Sequence, residues 1–509
     1  MKFSAGFLQW EPSEASRGYE FNRQTCDVLN QNLEPRDALC FLNEYSDEVW
    51  NNAVKKAHYK GFAEAKPASA RSEGKENEEI AMTGRGSVEQ EPEFVAFVGI
   101  DWADQKHVWS LQAADSSKRE TGELEHKPEV VEAWVGELCQ RFGHGAIAVA
   151  VEQVKGALVF MLRKYECLHL YPVPSTMSAS MREALYPSGA KDDPRDAELL
   201  LDLLLQHRNK LRRLTPDDEA TRRVQNLVEE RRKLVEEKTA QLNRLTGYLK
   251  VYFPQMLEWF AKLDTKLGCE FLERWPSLEE LQGASPAEVR KFFRQHRGRH
   301  PELTEWRLQG IGQAMPAIRD RAVIEAKRMV VQVIAQLLRT LLEGIATLDR
   351  KIAEAAEAHP DFFIFKSLPG AGAALAPRLL AALGSQRDRY ASAEEVQKYS
   401  GIAPVTERSG KKKWVHFRWA CPKFLRQSFH EWAEHSIAQS VWARAYYQQQ
   451  RQRGKDHHAA VRALAFKWIR IVFRCWQDGV AYDENRYLAT LAKRGSPLIH
   501  VPAVAAPCL

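Results

Sequence analysis

The sequence predicts a multidomain protein in which an α/β domain is followed by long coiled-coil helices and a mostly helical C-terminal domain. Apolar strand-like runs alternate with helical segments between residues 94 and 207. An uninterrupted heptad pattern follows, and glycine turns then separate further helical stretches. The length of 509 residues suits about two to four domains.

Composition excludes several classes of protein. With 73 Lys+Arg and 67 Asp+Glu the net charge is +6, and the mean hydropathy is −0.45. No unbroken apolar run reaches the ~18 residues of a membrane span, and we expect no secretory signal after Met1. The eight cysteines form no C-x-x-C pair, which argues against a disulfide scaffold or a zinc site. We expect a reduced, cytoplasmic protein without a membrane span.

The α/β domain is predicted over residues 94–210. Its first strand, Phe94–Asp101, is a continuous apolar run of the kind that forms buried strands. The remaining predicted elements are strands Val108–Ala113 and Glu120–His126, helix Pro128–Phe142, strand Ala146–Glu152, helix Ala157–Tyr165, strand Leu168–Val173, and helices Ser175–Leu185 and Asp193–His207. This order, an antiparallel meander continued by βα units, is the layout of the RNase H-like fold.

Two long helices are predicted within residues 211–360. Thr215 is expected to cap the first, with Asp218 closing a capping box, and this helix ends near Tyr252. The second carries the 3.5-residue repeat of a coiled coil, at Val331, Ile334, Leu338, Leu341, Ile345, Leu348, Ile352 and Ala355. A small helical insert, about 253–320, separates them. The helices could pair within the chain as an antiparallel hairpin or with a second chain.

The predicted α/β domain is preceded by an acidic extension. Residues 1–93 carry 11 basic and 17 acidic side chains, and the stretch Ala65–Glu93 is predicted to be a linker. Met82 lies just upstream of the first strand and is an alternative start by hypothesis. Residues 491–509 are interpreted as a tail.

Four carboxylates are candidates for a metal site. Asp101 and Glu152 each end a predicted buried strand, and Asp193 and Asp196 lie three apart at a helix start. Converging acidic groups repel one another unless cations bind, and carboxylate oxygens suit Mg²⁺ or Mn²⁺. The alternative to a metal site is that these acids have separate structural roles. Asp101 would cap a strand, Glu152 would be a surface acid, and the two acids of the helix start would interact favourably with the helix N-terminus.

The C-terminal domain, residues 361–490, is expected to bind nucleic acid. Gly370 and Gly372 form a Pro-Gly-x-Gly turn before a helix, a helix-hairpin-helix-like segment whose amides could hold a phosphate. Residues 405–474 carry 15 basic and 4 acidic side chains interleaved with aromatics, which suits a polyanion with stackable bases. A solvated basic face over an aromatic core is the alternative.

Ser409 is a candidate nucleophile within this basic segment. It is flanked by cations that can neutralise a phosphate, namely Arg408, Lys411, Lys412 and Lys413. A Ser-Gly turn in a basic loop is the alternative that composition favours.

Several short motifs in a specific order favour the interpretation of Ser409 as a nucleophile. They are Gly99-Ile100-Asp101-Trp102 with Lys106-His107, Val151-Glu152, Pro187–Ala197, Leu368-Pro369-Gly370-x-Gly372, Tyr399–Pro404 and Arg408-Ser409-Gly410. In this combination, residues 94–490 resemble the DEDD-type insertion-sequence transposases, the bridge-RNA-guided serine recombinases related to Piv-type DNA invertases. The acidic extension lies outside the resemblance.

The resemblance implies a specific chemistry and specific partners. RuvC-like carboxylates bind Mg²⁺ in that family, which maps onto Asp101, Glu152, Asp193 and Asp196, and the nucleophilic serine maps onto Ser409. It further implies homodimers or homotetramers through the coiled coil, and a structured guide RNA that pairs with donor and target DNA. We expect a transposase that cuts and rejoins DNA through a phosphoserine intermediate. A metal-dependent junction nuclease without a covalent step, and a non-catalytic nucleic-acid-binding protein, are the alternatives.

Overall fold

A five-stranded mixed sheet forms the first domain of the computed structural model, which describes residues 92–186, 193–296 and 301–499. The predicted acidic extension, with Met82, lies outside the described residues apart from positions 92 and 93. The strands are β1 (Phe94–Asp101), β2 (Lys106–Ala113), β3 (Arg119–Glu125), β4 (Ala146–Val151) and β5 (Leu168–Pro172). The helices of this domain are α1 (Pro128–Arg141), α2 (Ala157–Leu162), α3 (Ser175–Leu185) and α4 (Asp193–His207).

The sheet has an antiparallel half and a parallel half. Its order is β3-β2-β1-β4-β5. The β1–β2 and β2–β3 pairs are antiparallel, and the β1–β4 and β4–β5 pairs are parallel. A mixed α/β domain in this element order agrees with the sequence-based prediction, while the RNase H-like assignment stays a prediction.

Helix α4 packs directly on the central strand β1 at Gly99. A methyl group at Gly99 would lie 2.5 Å from the backbone nitrogen of Leu201 and would also strike the carbonyl oxygen of Ala197. A residue without a Cβ therefore lets helix and strand approach closely. The leucines of α4 fill the core on this face of the sheet, at Leu199, Leu200, Leu203 and Leu204.

Two long helices, α5 (Glu219–Tyr252) and α11 (Arg321–Glu357), pack antiparallel within the chain. Val224 near the start of α5 shares a core with Ile352 near the end of α11, and Leu245 shares another with Val331. The heptad pattern left open whether the two helices pair with each other or with a second chain. In the structure they pair with each other. The predicted cap is wrong by three residues, because Asp218 itself is the N-cap and accepts a hydrogen bond from Thr221 N.

A helical insert with its own aromatic core joins these two helices. Its helices are α6 (Gln255–Trp259), α7 (Lys266–Arg274), α8 (Leu278–Gly283), α9 (Pro286–Gln295) and α10 (Pro301–Gln313). Phe271, Phe292, Phe293 and Trp275 pack together here with the C-terminal half of α5.

The C-terminal part is helical apart from one hairpin. Its elements are α12 (Phe362–Lys366), α13 (Gly372–Leu383), α14 (Ala393–Tyr399), β6 (Val405–Ser409), β7 (Lys412–His416), α15 (Lys423–Gln439), α16 (Val441–Gln452), α17 (His457–Asp478) and α18 (Glu484–Lys493). They share one core with the N-terminal end of α5 and the C-terminal end of α11.

Helix α11 is long and apolar enough, by length and composition, to cross a membrane. One such helix is weak evidence, because core helices of soluble proteins pass the same test. Its heptad residues Val331, Ile334 and Leu338 are buried in the core shared with α5. The absence of a membrane span therefore stays a prediction.

Candidate active site

The first two predicted carboxylates lie at neighbouring strand ends. In the parallel pair of β1 and β4, Ile100 is opposite Val151. Asp101 is the last residue of β1, and Glu152 directly follows β4. Their backbones therefore leave the sheet side by side. Both side chains are half-buried. The expectation from the sequence, that two acids 51 positions apart meet at one edge, agrees with this register.

The third carboxylate lies on α4, which packs against β1. Asp196 directly precedes Ala197, whose carbonyl oxygen lies against Gly99, two residues before Asp101. Asp196 is only 4% exposed. Its Oδ1 accepts a hydrogen bond of 2.7 Å from Nε of Arg182 on α3. Asp193, one helical turn earlier, is exposed, so the two acids of α4 have different surroundings.

The chemistry of these donors fits Mg²⁺ or Mn²⁺, because all four are carboxylates. Among the described residues, no group of three or more His, Cys, Asp or Glu side chains is arranged to hold a metal ion. The Asp196 carboxylate is instead paired with the guanidinium of Arg182. Residues 187–192, which lead into α4, lie outside the described residues.

A hydrogen-bonded histidine pair, of buried His107 and half-buried His126, supports the connection between β1 and β2. Nδ1 of His107 accepts a hydrogen bond of 3.2 Å from the Ala103 amide, so Nε2 carries the proton and donates to Nδ1 of His126 at 2.8 Å. Burial, and then the charge of His126, lowers the pKa of His107 to about 4. The neutral ring therefore fixes the turn that immediately follows Asp101.

Ser409 lies at the tip of an exposed two-stranded hairpin. It is opposite Lys412, and Glu407 is opposite Trp414, in the antiparallel β6–β7 pair. The strands are joined by Gly410, at φ 57°, and Lys411. Directly opposed residues share one face of a hairpin. Ser409, Lys412 and Trp414 therefore share one face.

The other predicted cations take the opposite face or the turn. Arg408 is opposite Lys413, and both alternate with Ser409 and Lys412 along their strands. All the predicted phosphate contacts on the hairpin, Arg408, Lys411, Lys412 and Lys413, are exposed.

The base of the hairpin is anchored on both sides. Gly401 has φ 73°, and a Cβ there would strike the side chain of Cys421. Nε of Arg418, after β7, donates to the carbonyl oxygen of Ala403, before β6, at 3.3 Å. The Tyr399–Pro404 motif therefore has a structural reason, which is to hold the two ends of the serine hairpin together.

Most of the tryptophans in the basic segment belong to the core. Trp432, Trp442 and Trp468, with Trp476 just beyond the segment, are fully buried, and each indole nitrogen donates a hydrogen bond within the protein. For these residues the interpretation as base-stacking aromatics is wrong, because a C-terminal part with many short helices needs large side chains to fill its core. Trp414 and Trp419 remain exposed, at 48% and 65%.

The glycine turn before α13 has a packing role. The Gly370 amide donates to Oε1 of Gln439 at 2.9 Å, and a Cβ on Gly370 would lie 2.6 Å from the Ser436 backbone nitrogen on α15. The predicted phosphate contact of Gly370 thus competes with a protein acceptor. Gly372 is exposed.

Sequence reasoning missed Arg182 and the His107–His126 pair as parts of this region. Arg182 is an ordinary basic residue of a surface helix in the sequence, and no spacing links it to Asp196. His107 carried a weak signal, since it lies in the Lys106-His107 motif quoted above.

Two segments of the chain match families of transposases. Residues 98–254, which include all four carboxylates, match the transposase family model DEDD_Tnp_IS110. Residues 364–448, which include Ser409, match the model described as transposase IS116/IS110/IS902 family.

Full-length relatives show the same similarity. A Streptomyces coelicolor protein named as the mini-circle transposase for IS117 is 28% identical over 415 residues, covering 79% of this chain and 98% of the relative. The 43.6 kDa protein of insertion element IS110 from the same organism is 26% identical over 397 residues, covering 76% of this chain and 96% of the relative. The 42 kDa protein of insertion element IS900 from Mycobacterium paratuberculosis is 24% identical over 302 residues, covering 58% and 74%. In two segments, and along most of the relatives' length, the chain is therefore similar to IS110-type DEDD transposases.

Proposed function

We propose that this protein is an insertion-sequence transposase that cuts and rejoins DNA in the prokaryotic cytoplasm through a covalent phosphoserine intermediate. The proposal rests chiefly on one observation. The neighbouring strand-end acids Asp101 and Glu152, and the exposed hairpin serine Ser409, fall within the two segments that match transposase models. Carboxylates at a sheet edge and an accessible hydroxyl among cations suit phosphodiester chemistry.

The covalent step exchanges one phosphate ester for another. The Ser409 hydroxyl oxygen attacks a DNA phosphorus, a bond from phosphorus to a deoxyribose oxygen breaks, and the serine proton ends on the departing DNA hydroxyl. A DNA hydroxyl from the new partner then attacks the phosphoserine and returns the proton to Ser409. The number of phosphodiester bonds is conserved, so the reaction requires no ATP.

The cations of the hairpin have distinct positions for this step. Lys412 is directly opposite Ser409 and is the best placed to neutralise the attacked phosphate. Lys411 occupies the turn. Arg408 and Lys413, on the opposite face, would contact flanking phosphates.

The carboxylates Asp101, Glu152, Asp193 and Asp196 would hold Mg²⁺ or Mn²⁺, with Asp196 first released from Arg182. A bound divalent cation supplies polarisation of the phosphate and stabilisation of the developing charge. The chain's own part is to present Asp101 and Glu152 at adjacent strand ends and to fix the following turn through His107.

A second copy of the chain and a structured RNA complete the proposed assembly. Ser409 extends from the C-terminal core, whereas the carboxylates belong to the sheet domain, which suits a site built from the acids of one copy and the serine of another. Helix α11 exposes Met329, Val333 and Leu337 beside its buried seam, a face suited to a homodimer or homotetramer. The RNA would pair with donor and target DNA.

Covalent trapping tests the proposal. A supercoiled plasmid carrying the DNA that flanks the coding sequence is incubated with the protein, Mg²⁺ and RNA transcribed from that flanking DNA, then denatured and examined for protein–DNA adducts. We expect adducts with the wild type and with Thr406→Ala, which removes an exposed hydroxyl on the other face of the hairpin, and none with Ser409→Ala or Asp101→Asn.

The alternatives give different results in the same assay. A junction nuclease keeps cleavage in Ser409→Ala and loses it in Asp101→Asn. A non-catalytic binding protein is unaffected by either substitution. An adduct formed by Ser409→Ala overturns the assignment of the nucleophile.

A further inference from the structure

Trp414 is the exposed aromatic residue that shares a hairpin face with Ser409. Its side chain is 48% exposed, while Trp432, Trp442, Trp468 and Trp476 in the same domain are fully buried. Among the described residues, Trp414 makes no ring contact, whereas Trp419 packs edge-on against Phe417 with centroids 4.8 Å apart. A large indole exposed to water on this hairpin is available to a ligand.

The register places this indole close to the predicted point of chemistry. Trp414 is two residues from Lys412, which is opposite Ser409. Alternate residues of a strand point to one face, so all three side chains project together. Two residues along a strand span about 7 Å, which is close to the spacing of successive phosphates in an extended single strand.

The charges of the hairpin favour nucleic acid as the ligand. On the face of Trp414 lie the cation Lys412 and the acid Glu407, with Lys411 in the adjoining turn. Oε1 of Glu407 is 3.0 Å from Nε2 of His416, and the remaining cations, Arg408 and Lys413, lie on the opposite face. An exposed aromatic ring on a hairpin whose cations outnumber its acids suits single-stranded nucleic acid, because each base has a face that stacks and each phosphate a charge to neutralise.

We propose that Trp414 is a stacking platform for an unpaired DNA base next to the phosphate that Ser409 attacks. The inference rests on the proposed function, since it takes Ser409 as the attacking residue. It adds that the DNA strand is unstacked at the hairpin before it is cut, and that Trp414 holds the freed base on the serine side. Duplex DNA would then bind mainly through its phosphates and would gain little from Trp414.

Fluorescence anisotropy with labelled DNA tests this without any chemistry. The protein carries Ser409→Ala, so that no covalent link contributes, and the probes are a single-stranded DNA of about 20 nucleotides, its duplex, and an RNA of the same sequence. Trp414→Ala is expected to weaken single-stranded DNA binding about tenfold. Trp414→Phe, which keeps a stacking ring, should retain most of the affinity.

Val415→Ala is the matched control. Val415 is 60% exposed and lies one residue along the same strand, on the opposite face, so its removal should leave both affinities unchanged. Duplex binding should change little in any of these variants.

Four outcomes would overturn the platform: unchanged single-strand affinity in Trp414→Ala, equal losses for duplex and single strand, a loss confined to RNA, or a smaller oligomer with unaltered DNA affinity. The last would make Trp414 an interface residue. A failure of the proposed function is distinguishable, because it appears as absent wild-type adducts in the trapping assay while the single-strand loss in Trp414→Ala persists.

Discussion

The guanidinium of Arg182 holds the buried carboxylate of Asp196, with Nε and Oδ1 2.7 Å apart. A divalent cation and Arg182 cannot both neutralise that carboxylate fully, so the two compete. Replacing Arg182 by Gln should therefore strengthen Mn²⁺ binding several-fold, measured by electron paramagnetic resonance titration of free Mn²⁺. Lys164→Gln, which removes an exposed cation of the same domain, should bind Mn²⁺ as the wild type does. Weaker Mn²⁺ binding in Arg182→Gln would contradict this competition and would show that Arg182 orients the Asp196 carboxylate for the metal.

Gly99 sets the distance between α4 and β1. A methyl group there meets backbone atoms of Ala197 and Leu201, which cannot rotate away. Gly99→Ala should lower the free energy of unfolding by about 1–3 kcal/mol, the usual cost of overpacking. Gly136→Ala on α1 is the control, because a Cβ there meets nothing within 4 Å, and it should be neutral or stabilising. Thermal unfolding compares the variants. Equal melting temperatures for both would contradict the close approach.

Asp217 ties the segment before α5 to the C-terminal domain. It is 4% exposed, and its Oδ2 accepts hydrogen bonds from Arg389 at 2.6 Å and Gln225 at 2.7 Å. Removing one partner of a buried ion pair leaves the other charge uncompensated, so Asp217→Asn should cost about 3 kcal/mol. Urea unfolding followed by fluorescence of the buried tryptophans measures this. Glu354→Gln, which breaks an exposed pair with Lys351, should change stability by less than about 0.5 kcal/mol.

His107 makes stability depend on pH below neutrality. Its pKa is lowered from 6.5 to about 4 in the folded protein. Between these values the unfolded chain binds a proton that the folded protein excludes, so stability is present above pH 6.5 and falls as the pH decreases towards 4. The loss attributable to this group is about 3 kcal/mol. Urea unfolding at several pH values should show a shallower decline in His107→Gln. The exposed His435→Gln should keep the wild-type slope.

Cys139 and Cys167 are positioned to form a disulfide under oxidation. Their sulfur atoms are 2.6 Å apart. Treatment with diamide should remove one hydrogen atom from each thiol and reduce the reagent, giving a Cys139–Cys167 peptide in non-reducing mass spectrometry. Burial and the hydrogen bond with Cys139 raise the pKa of Cys167 to about 12, so the rate should rise with pH, since the thiolate reacts. Cys269, which is buried apart from them, should stay reduced. Cross-linking of Cys269 would contradict the pairing.

The sequence allowed the sheet domain to be predicted closely. Phe94–Asp101, Ser175–Leu185 and Asp193–His207 have the predicted bounds, because continuous apolar runs and helical periodicity are local signals. The side-by-side placement of Asp101 and Glu152 followed from the parallel pairing of their strands.

Contacts between distant residues could not be predicted in this way. The partner of Asp196 depends on how α3 packs beside α4, and nothing in the order of residues specifies Arg182. The same limit applies to the aromatics of the basic segment. Trp414 and Trp432 look alike in sequence, and only packing decides that one is exposed and the other buried.

The antiparallel arrangement of α5 and α11 makes the aromatic insert the far end of an arm. A helix of 34 residues is about 50 Å long, and the insert's core lies at the opposite end of this arm from the core that carries the serine hairpin. Because a heptad repeat keeps the same contacts after each seven residues, lengthening both helices by one heptad would move the insert about 10 Å outward. The distance between the insert and the serine hairpin can therefore be changed, by evolution or by engineering, without altering the residues of the hairpin.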